Sequence, residues 1–224
     1  MCYWFTVLLL NILPVIGALA SALIIPGLSV GLMQAARNLD RGLPVSMQTL
    51  FGGLKENPRT LVALGALNLA ATIAIVAFSS FADDGSFLKY MMANSRAERA
   101  LLEDADFTMP ILVIALLMTP LMMAYWFAPV LAAWHRLTIF KALFFSFIAC
   151  QMNWRAFLVF SIGLMLLAGV IPGVLLGVLL ILMPGAHTLA TAFIMMPMTL
   201  IVAPIIFASF YVSYRDIFGI SEIV

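Results

Sequence analysis

Few side chains in this sequence could perform acid–base, nucleophilic or metal chemistry, and those few are far apart along the chain. The two histidines are His135 and His187, and the two cysteines are Cys2 and Cys150. Catalytic and metal sites need such groups at defined spacing, and no zinc-protease, phosphate-loop or nucleophile-elbow motif is present. The sequence therefore predicts no catalytic residue, no metal ligand and no cofactor, and we expect the protein not to be an enzyme.

Charged residues are confined to short segments between long apolar stretches. Hydrophobic residues make up 65% of the 224 residues and charged residues 9%. The 59 residues of Ala156–Tyr214 contain no Asp, Glu, Lys or Arg, and Met1–Ala36, Thr60–Ala82 and Phe107–Trp134 are also free of them. Because charge is costly in hydrocarbon, this pattern predicts a single integral membrane domain covering residues 1–224.

The lengths of these stretches predict about six transmembrane helices. Crossing the hydrocarbon core takes about 20 helical residues. Ala156–Tyr214 is therefore divided into two spans at Pro184-Gly185. Met1–Ala36 is divided into Met1–Leu13 and Ala18–Ala36, or forms one span in a five-span alternative. The expected fold class is an all-α, polytopic transmembrane helix bundle.

The distribution of basic residues predicts the orientation of the bundle. Eight of the 11 basic residues lie in segments 37–59 and 135–155 or at Arg215, whereas segment 83–106 has three basic residues and six acids. Cytoplasmic loops carry an excess of Lys and Arg. We therefore expect loops 37–59 and 135–155 to face the cytoplasm and loop 83–106 to face outward.

The two basic loops resemble each other. Asn57-Pro-Arg59 and Asn153-Trp-Arg155 each open an apolar stretch, 96 residues apart. Each is preceded by apolar side chains at helical spacing: Met47, Leu50, Phe51 and Leu54 in one loop, and Phe140, Leu143, Phe144 and Phe147 in the other. The pattern predicts two cytoplasmic interfacial amphipathic helices. It also predicts an internal parallel repeat, with units of about 18–82 and 109–183.

Several residues are candidates for contacts within or beside the membrane. The basic residues expected to form a collar facing lipid headgroups are Arg37, Arg41, Arg59, Arg136, Lys141 and Arg155. Asn68 is the intramembrane polar candidate and is expected to be buried. Gly27 and Gly31, and the strip Gly169, Gly173 and Gly177, have the spacing that lets helices approach closely. We expect these strips to pack within the bundle, with homodimerisation as the alternative.

Three segments resemble a known family. They are PGLSVGLMQAARNLDRG at 26–42, WFAPVLAAWH at 126–135 and YVSYRDIFG at 211–219. They are similar to an uncharacterised family of polytopic bacterial inner-membrane proteins, distantly like the membrane domain of some glycerophosphodiester phosphodiesterases. The resemblance covers nearly the whole chain. It implies a multi-pass protein of the bacterial inner membrane with loop 83–106 in the periplasm, and it implies no reaction.

Two functions remain open at this point. The first is a non-enzymatic scaffold or accessory protein that contacts membrane lipids, another membrane protein or a second copy of itself through small-residue helix faces. The alternative is an uncoupled transporter or channel for a small or amphipathic substrate, with a path around Asn68. Spans without titratable groups make proton coupling unexpected. No nucleic-acid partner is expected.

Overall fold

The computed structural model describes residues 14–93, 95, 106–182 and 187–219, and this part of the chain contains helices and no strand. Its helices are α1 Pro14–Asp40, α2 Met47–Gly52, α3 Pro58–Ser79, α4 Ser86–Met92, α5 Thr108–Trp126, α6 Ala128–Trp134, α7 Ile139–Met152, α8 Trp154–Met165, α9 Ile171–Leu182 and α10 His187–Phe218. A 3-10 turn, Ser80–Ala82, follows α3, and a π-helical turn, Leu166–Val170, joins α8 to α9. The all-α prediction is confirmed.

Five segments of the described residues are long and apolar enough to cross a membrane. They are Leu19–Asp40, Pro58–Ala82, Thr108–Trp134, Trp154–Ile181 and Leu200–Phe218, and α7 is a shorter apolar helix. The polytopic helix bundle is thereby confirmed. The additional helix predicted at Met1–Leu13 lies outside the described residues.

The helices α3 and α8 begin where their local sequence favours a start. Asn57 adopts the left-handed conformation, with φ of 51°, and its side-chain oxygen accepts a hydrogen bond of 2.8 Å from the Thr60 hydroxyl. Pro58 follows at the first helical position, where no backbone donor is needed. Helix α8 likewise begins directly after Asn153. The prediction that both Asn-x-Arg segments open a long apolar helix is confirmed.

The core of the bundle surrounds α6. All residues from Ala128 to Ala133 are buried, and α6 packs against α1, α3 and α7. Tyr211 and Tyr214 of α10 join the same cluster. The end of α1, the start of α3 and the ends of α6 and α10 therefore meet at one end of the bundle, which we call the basic end. The loop after α3 lies at the opposite end.

The helix formed by α5 and α6 is interrupted at Phe127. Pro129 has no backbone donor, which favours a break just before it. The Phe127 N–H would ordinarily donate to the Met123 carbonyl, but it donates instead to the Ser146 hydroxyl at 2.9 Å. The Ser146 hydroxyl in turn donates to the Met123 carbonyl at 2.8 Å. A side chain of α7 thus completes the interrupted hydrogen bond.

The glycines of α1 contact α2 and the residues directly after it, not a neighbouring span. A Cβ on Gly31 would overlap the Leu50 carbonyl oxygen, and a Cβ on Gly53 would overlap backbone atoms of Gly27 and Gly31. Gly27 and Gly31 lie roughly 20 and 14 Å before Asp40 along α1. The short helix α2 therefore lies beside the middle of α1.

The second glycine strip is used differently. Among the described residues, nothing lies within 4 Å of a Cβ placed on Gly169, Gly173 or Gly177. The expectation that both glycine strips pack within the bundle is therefore met by Gly27 and Gly31 only. The strip at 169–177 forms no close backbone contact in the described part of the chain.

The 96-residue offset also relates these two close contacts. Adding 96 to the residue number relates Gly27 to Met123, Gly31 to Phe127 and Leu50 to Ser146. In the first half, the residues around Leu50 contact the helical turn between Gly27 and Gly31. In the second half, Ser146 enters the turn between Met123 and Phe127. The internal repeat itself stays a prediction.

Candidate functional site at the basic end

An ion pair joins the end of α1 to the end of α10. The Arg215 guanidinium lies 3.0 Å from the Asp40 carboxylate, and the Tyr211 hydroxyl donates to the same carboxylate at 3.1 Å. Both charged side chains are about 40% exposed, at 39% and 41%. Exposed pairs contribute little to stability, so the contact mainly fixes the register of the two helix ends.

Aromatic side chains pack beside this ion pair. The Arg37 guanidinium carbon lies 4.9 Å from the centre of the Trp134 ring, which is a cation–π distance. The Trp134 and Tyr214 rings meet edge to face with centres 5.1 Å apart. The Tyr214 hydroxyl and His135 Nε2 are 2.7 Å apart. Arg37 is therefore half-buried against aromatic rings and is not a freely exposed collar residue.

A polar pocket opens between the start of α3 and the end of α6. It has a volume of about 590 Å³ and is lined by Lys55, Glu56, Asn57, Ala133, Trp134 and Arg136. The Asn57 amide donates to the Ala132 carbonyl at 3.2 Å and fixes one wall to the other. The Trp134 indole N–H is buried and has no acceptor among the described residues. The pocket thus carries two cationic side chains, Lys55 and Arg136, and one carboxylate, Glu56.

The other predicted collar residues lie at helix ends of the same region. Arg41, Arg59, Arg136, Lys141 and Arg155 are all exposed. Arg155 lies 5.5 Å from the centre of the Trp154 ring. Arg37 and Arg136 are therefore the two predicted residues that contact or flank Trp134. Arg59, Lys141 and Arg155 belong to the starts of α3, α7 and α8.

Asn68 does not occupy the position expected of it. It is exposed on the outer surface of α3, so the expectation of a buried polar residue is wrong. The periodicity of α3 could not reveal this, because apolar residues cover every face of the helix and its polar and apolar faces are not distinguished.

Sequence reasoning also missed residues of the site. Asp40, Tyr211 and Trp134 were not predicted, although each contacts a partner at the basic end. Asp40 and Tyr211 are 171 residues apart in the chain. The available signal was that an acidic residue lies at the basic end of one span and a basic residue, Arg215, at the basic end of another.

Cys150 offers a simple test of the packing of α7. It is 2% exposed, and burial raises the pKa of its thiol to about 12. Burial disfavours the charged form, so the thiol stays protonated below that pH, and the thiolate is the reactive form. In a Cys2→Ser background, we expect maleimide to leave Cys150 unmodified in the folded protein between about pH 7 and 9 and to label it after denaturation.

The control for this labelling is a cysteine at an exposed position. Ser46 is exposed, so a Ser46→Cys variant that also carries Cys2→Ser and Cys150→Ser should be labelled in the folded state. Equal labelling rates at positions 46 and 150 in the folded protein would contradict the burial of Cys150.

Comparison with known proteins identifies a relative of the whole chain. The chain is 34% identical over 227 residues to a protein of Burkholderia thailandensis named "Probable inner membrane protein", and the match covers 98% of this chain and 83% of that protein. No family model matches the chain. No solved structure matches it significantly. With five membrane-capable helices, the chain is a multi-pass inner membrane protein.

Proposed function

We propose that this chain, which belongs to the family of this Burkholderia thailandensis inner membrane protein, acts without catalysis as a scaffold or accessory protein that binds anionic phospholipid. The observation that carries the proposal is the pocket at the basic end, with Lys55 and Arg136 on its walls. In this proposal the basic end faces the cytoplasm, as the excess of Lys and Arg predicts.

The chemistry of the pocket suits a phosphate group. Lys55 supplies a compact charge, and the guanidinium of Arg136 can donate two parallel hydrogen bonds to phosphate oxygens. Glu56 also lines the pocket and disfavours a second negative charge beside it. A phosphodiester with a single charge therefore fits better than a phosphomonoester.

The remaining basic residues add a weaker, general attraction. Arg41, Arg59, Lys141 and Arg155 are exposed at the same end. Basic residues near an anionic membrane surface each contribute a favourable electrostatic term that decreases within a Debye length. The collar would concentrate anionic lipid around the bundle, and the pocket would select one molecule of it.

The alternative of an uncoupled transporter or channel receives no support at the residue on which it depended. Its path was placed around Asn68, which is exposed on the outside of α3. We therefore retain the lipid-binding proposal.

The test measures phosphatidylglycerol retained after purification in detergent. We expect Lys55→Gln/Arg136→Gln to lower the retained lipid about tenfold, since two charges that contact the phosphate are lost. The matched control, Arg59→Gln/Arg155→Gln, removes two charges from the same end outside the pocket and should cause a smaller loss. Equal losses in the two double variants would show a diffuse collar without a selective pocket. Unchanged retention in both would remove the proposal.

A further inference from the structure

A second cavity lies between the start of α8 and the end of α10. It has a volume of about 450 Å³, and its lining includes Asn153, Phe157, Phe160, Val212, Ser213 and Asp216. No residue of α8 is fully buried, and an open cleft remains between this helix and α10. We call it the α8–α10 cleft. Its volume lies within the range of small-molecule sites.

The cleft is polar at its mouth and apolar inside. Asn153 precedes α8 and Asp216 lies near the end of α10, so both belong to the basic end. Phe157 and Phe160 lie one and two turns further along α8. From Asn153 to Phe160 the chain advances roughly 10 Å. A polar mouth over an apolar interior of this length suits the headgroup and upper acyl chain of a lipid.

Two residues of the cleft wall, Phe157 and Phe160, belong to a packed aromatic group. The rings of Trp126 and Phe210 stack with centres 4.4 Å apart. The rings of Phe157 and Phe160 meet Trp126 edge to face, with centres at 5.4 and 6.1 Å. Such pairs hold their rings in defined orientations. The wall is therefore preformed, and the cleft does not depend on an occupant to shape it.

The charge at the mouth is negative. Asp216 is the one ionisable side chain in the lining of the α8–α10 cleft within the described chain, and it is 64% exposed. The nearest cation, Arg215, has its Nε 3.6 Å from Asp216. The same guanidinium is also shared with Asp40 at 3.0 Å. The Asp216 carboxylate can therefore accept a hydrogen bond from a second cation. The cleft thus suits a cationic group, whereas the pocket at Lys55 and Arg136 suits an anionic one.

We propose that the α8–α10 cleft binds a phospholipid with a primary ammonium headgroup, of the phosphatidylethanolamine class. The ammonium donates to the Asp216 carboxylate. Asn153 donates one amide hydrogen to the Ala149 carbonyl, and its second amide hydrogen is placed for a phosphate oxygen. One acyl chain follows Phe157 and Phe160 into the cleft. This site is separate from the anionic-lipid pocket and does not require it.

The test compares two lipids that differ only at nitrogen. The full chain, purified in detergent and stripped of lipid, is titrated with phosphatidylethanolamine or with phosphatidylcholine of the same acyl chains, and bound lipid is counted by native mass spectrometry. Phosphatidylcholine keeps the charge but has no N–H donor. We expect the wild type to prefer phosphatidylethanolamine on the order of fivefold, the effect of one partly exposed charged hydrogen bond.

Four variants locate the effect. Asp216→Asn should bring the two lipids to equal retention, whereas Asp84→Asn, an exposed carboxylate at the opposite end, should keep the preference. Val212→Trp fills the cleft without changing charge and should lower the retention of both lipids. Lys55→Gln/Arg136→Gln should leave the preference intact, so a failure of the anionic-lipid pocket is distinguished from a failure of this site.

Several results would overturn the proposal. Equal retention of both lipids by the wild type, or an unchanged preference in Asp216→Asn, would remove the role of the carboxylate. Unchanged retention in Val212→Trp would place the lipid elsewhere. If a variant ending at Gly219 retained several times more of both lipids, residues 220–224 would be the occupant of the cleft. Thermal unfolding of each variant shows that it is folded.

Discussion

The variant Gly31→Ala is expected to lose the packing of α2 on α1 and with it much of the stability of the bundle. A Cβ at this position overlaps the carbonyl oxygen of Leu50. Because the obstacle is backbone, no rotamer change relieves it, and α2 must move away from α1. Overpacking of a core typically costs about 1–3 kcal/mol and sometimes more. We expect a loss of about 3 kcal/mol in the free energy of unfolding, measured in detergent, or a failure to purify folded protein.

The matched control is Gly173→Ala in the other glycine strip. A Cβ there meets nothing within 4 Å among the described residues. Alanine is also the better helix former by about 1 kcal/mol. This variant should therefore be as stable as the wild type or slightly more stable. Equal behaviour of Gly31→Ala and Gly173→Ala would contradict the close contact between α1 and the Leu50 backbone.

The variant Ser146→Ala is expected to destabilise the break between α5 and α6. It removes the acceptor of the Phe127 N–H and the donor to the Met123 carbonyl together. Phe127 is fully buried, so water does not replace the lost partner. A buried donor left without an acceptor costs about 1–3 kcal/mol. We expect a loss near the middle of that range, measured by equilibrium unfolding in detergent.

Ser79→Ala is the control for this substitution. Ser79 is as fully buried as Ser146, at 0% exposure. Its hydroxyl donates only to the Val76 carbonyl within its own helix, at 2.7 Å. The alanine variant leaves no backbone N–H without a partner, so the loss should stay below about 1 kcal/mol. A larger loss for Ser79→Ala than for Ser146→Ala would show that Ser146 does not support the break.

The two predictions each test one contact, one in each half of the predicted repeat. The Gly31 contact belongs to the first half and the Ser146 contact to the second. Each attaches the chain after a helix to a turn in the middle of that helix. If the halves are equivalent, both substitutions should loosen the basic end. Lipid retained at the Lys55–Arg136 pocket should then fall along with stability, which is why the lipid tests use surface charges that leave both contacts intact.

The sequence by itself determined that this protein lies in a membrane, and it determined the positions of most of its helices. Charge-free stretches place the spans because ionised side chains are costly in hydrocarbon. Asn57 with Pro58, and Asn153, place the starts of α3 and α8 through local backbone chemistry. The clustering of basic residues at one end also followed from their order along the chain.

Only the tertiary structure decided which faces meet. The sequence could not show that Gly31 contacts the backbone of Leu50 or that Asp40 pairs with Arg215, 175 residues away in the chain. It also could not show that Asn68 faces outward. In a soluble helix the apolar stripe marks the buried side. In a membrane helix lipid and protein neighbours are equally apolar, so the hydrophobic pattern does not distinguish the packed face from the lipid face. Close fit and hydrogen bonds between residues far apart in the chain determine which face of each helix is packed.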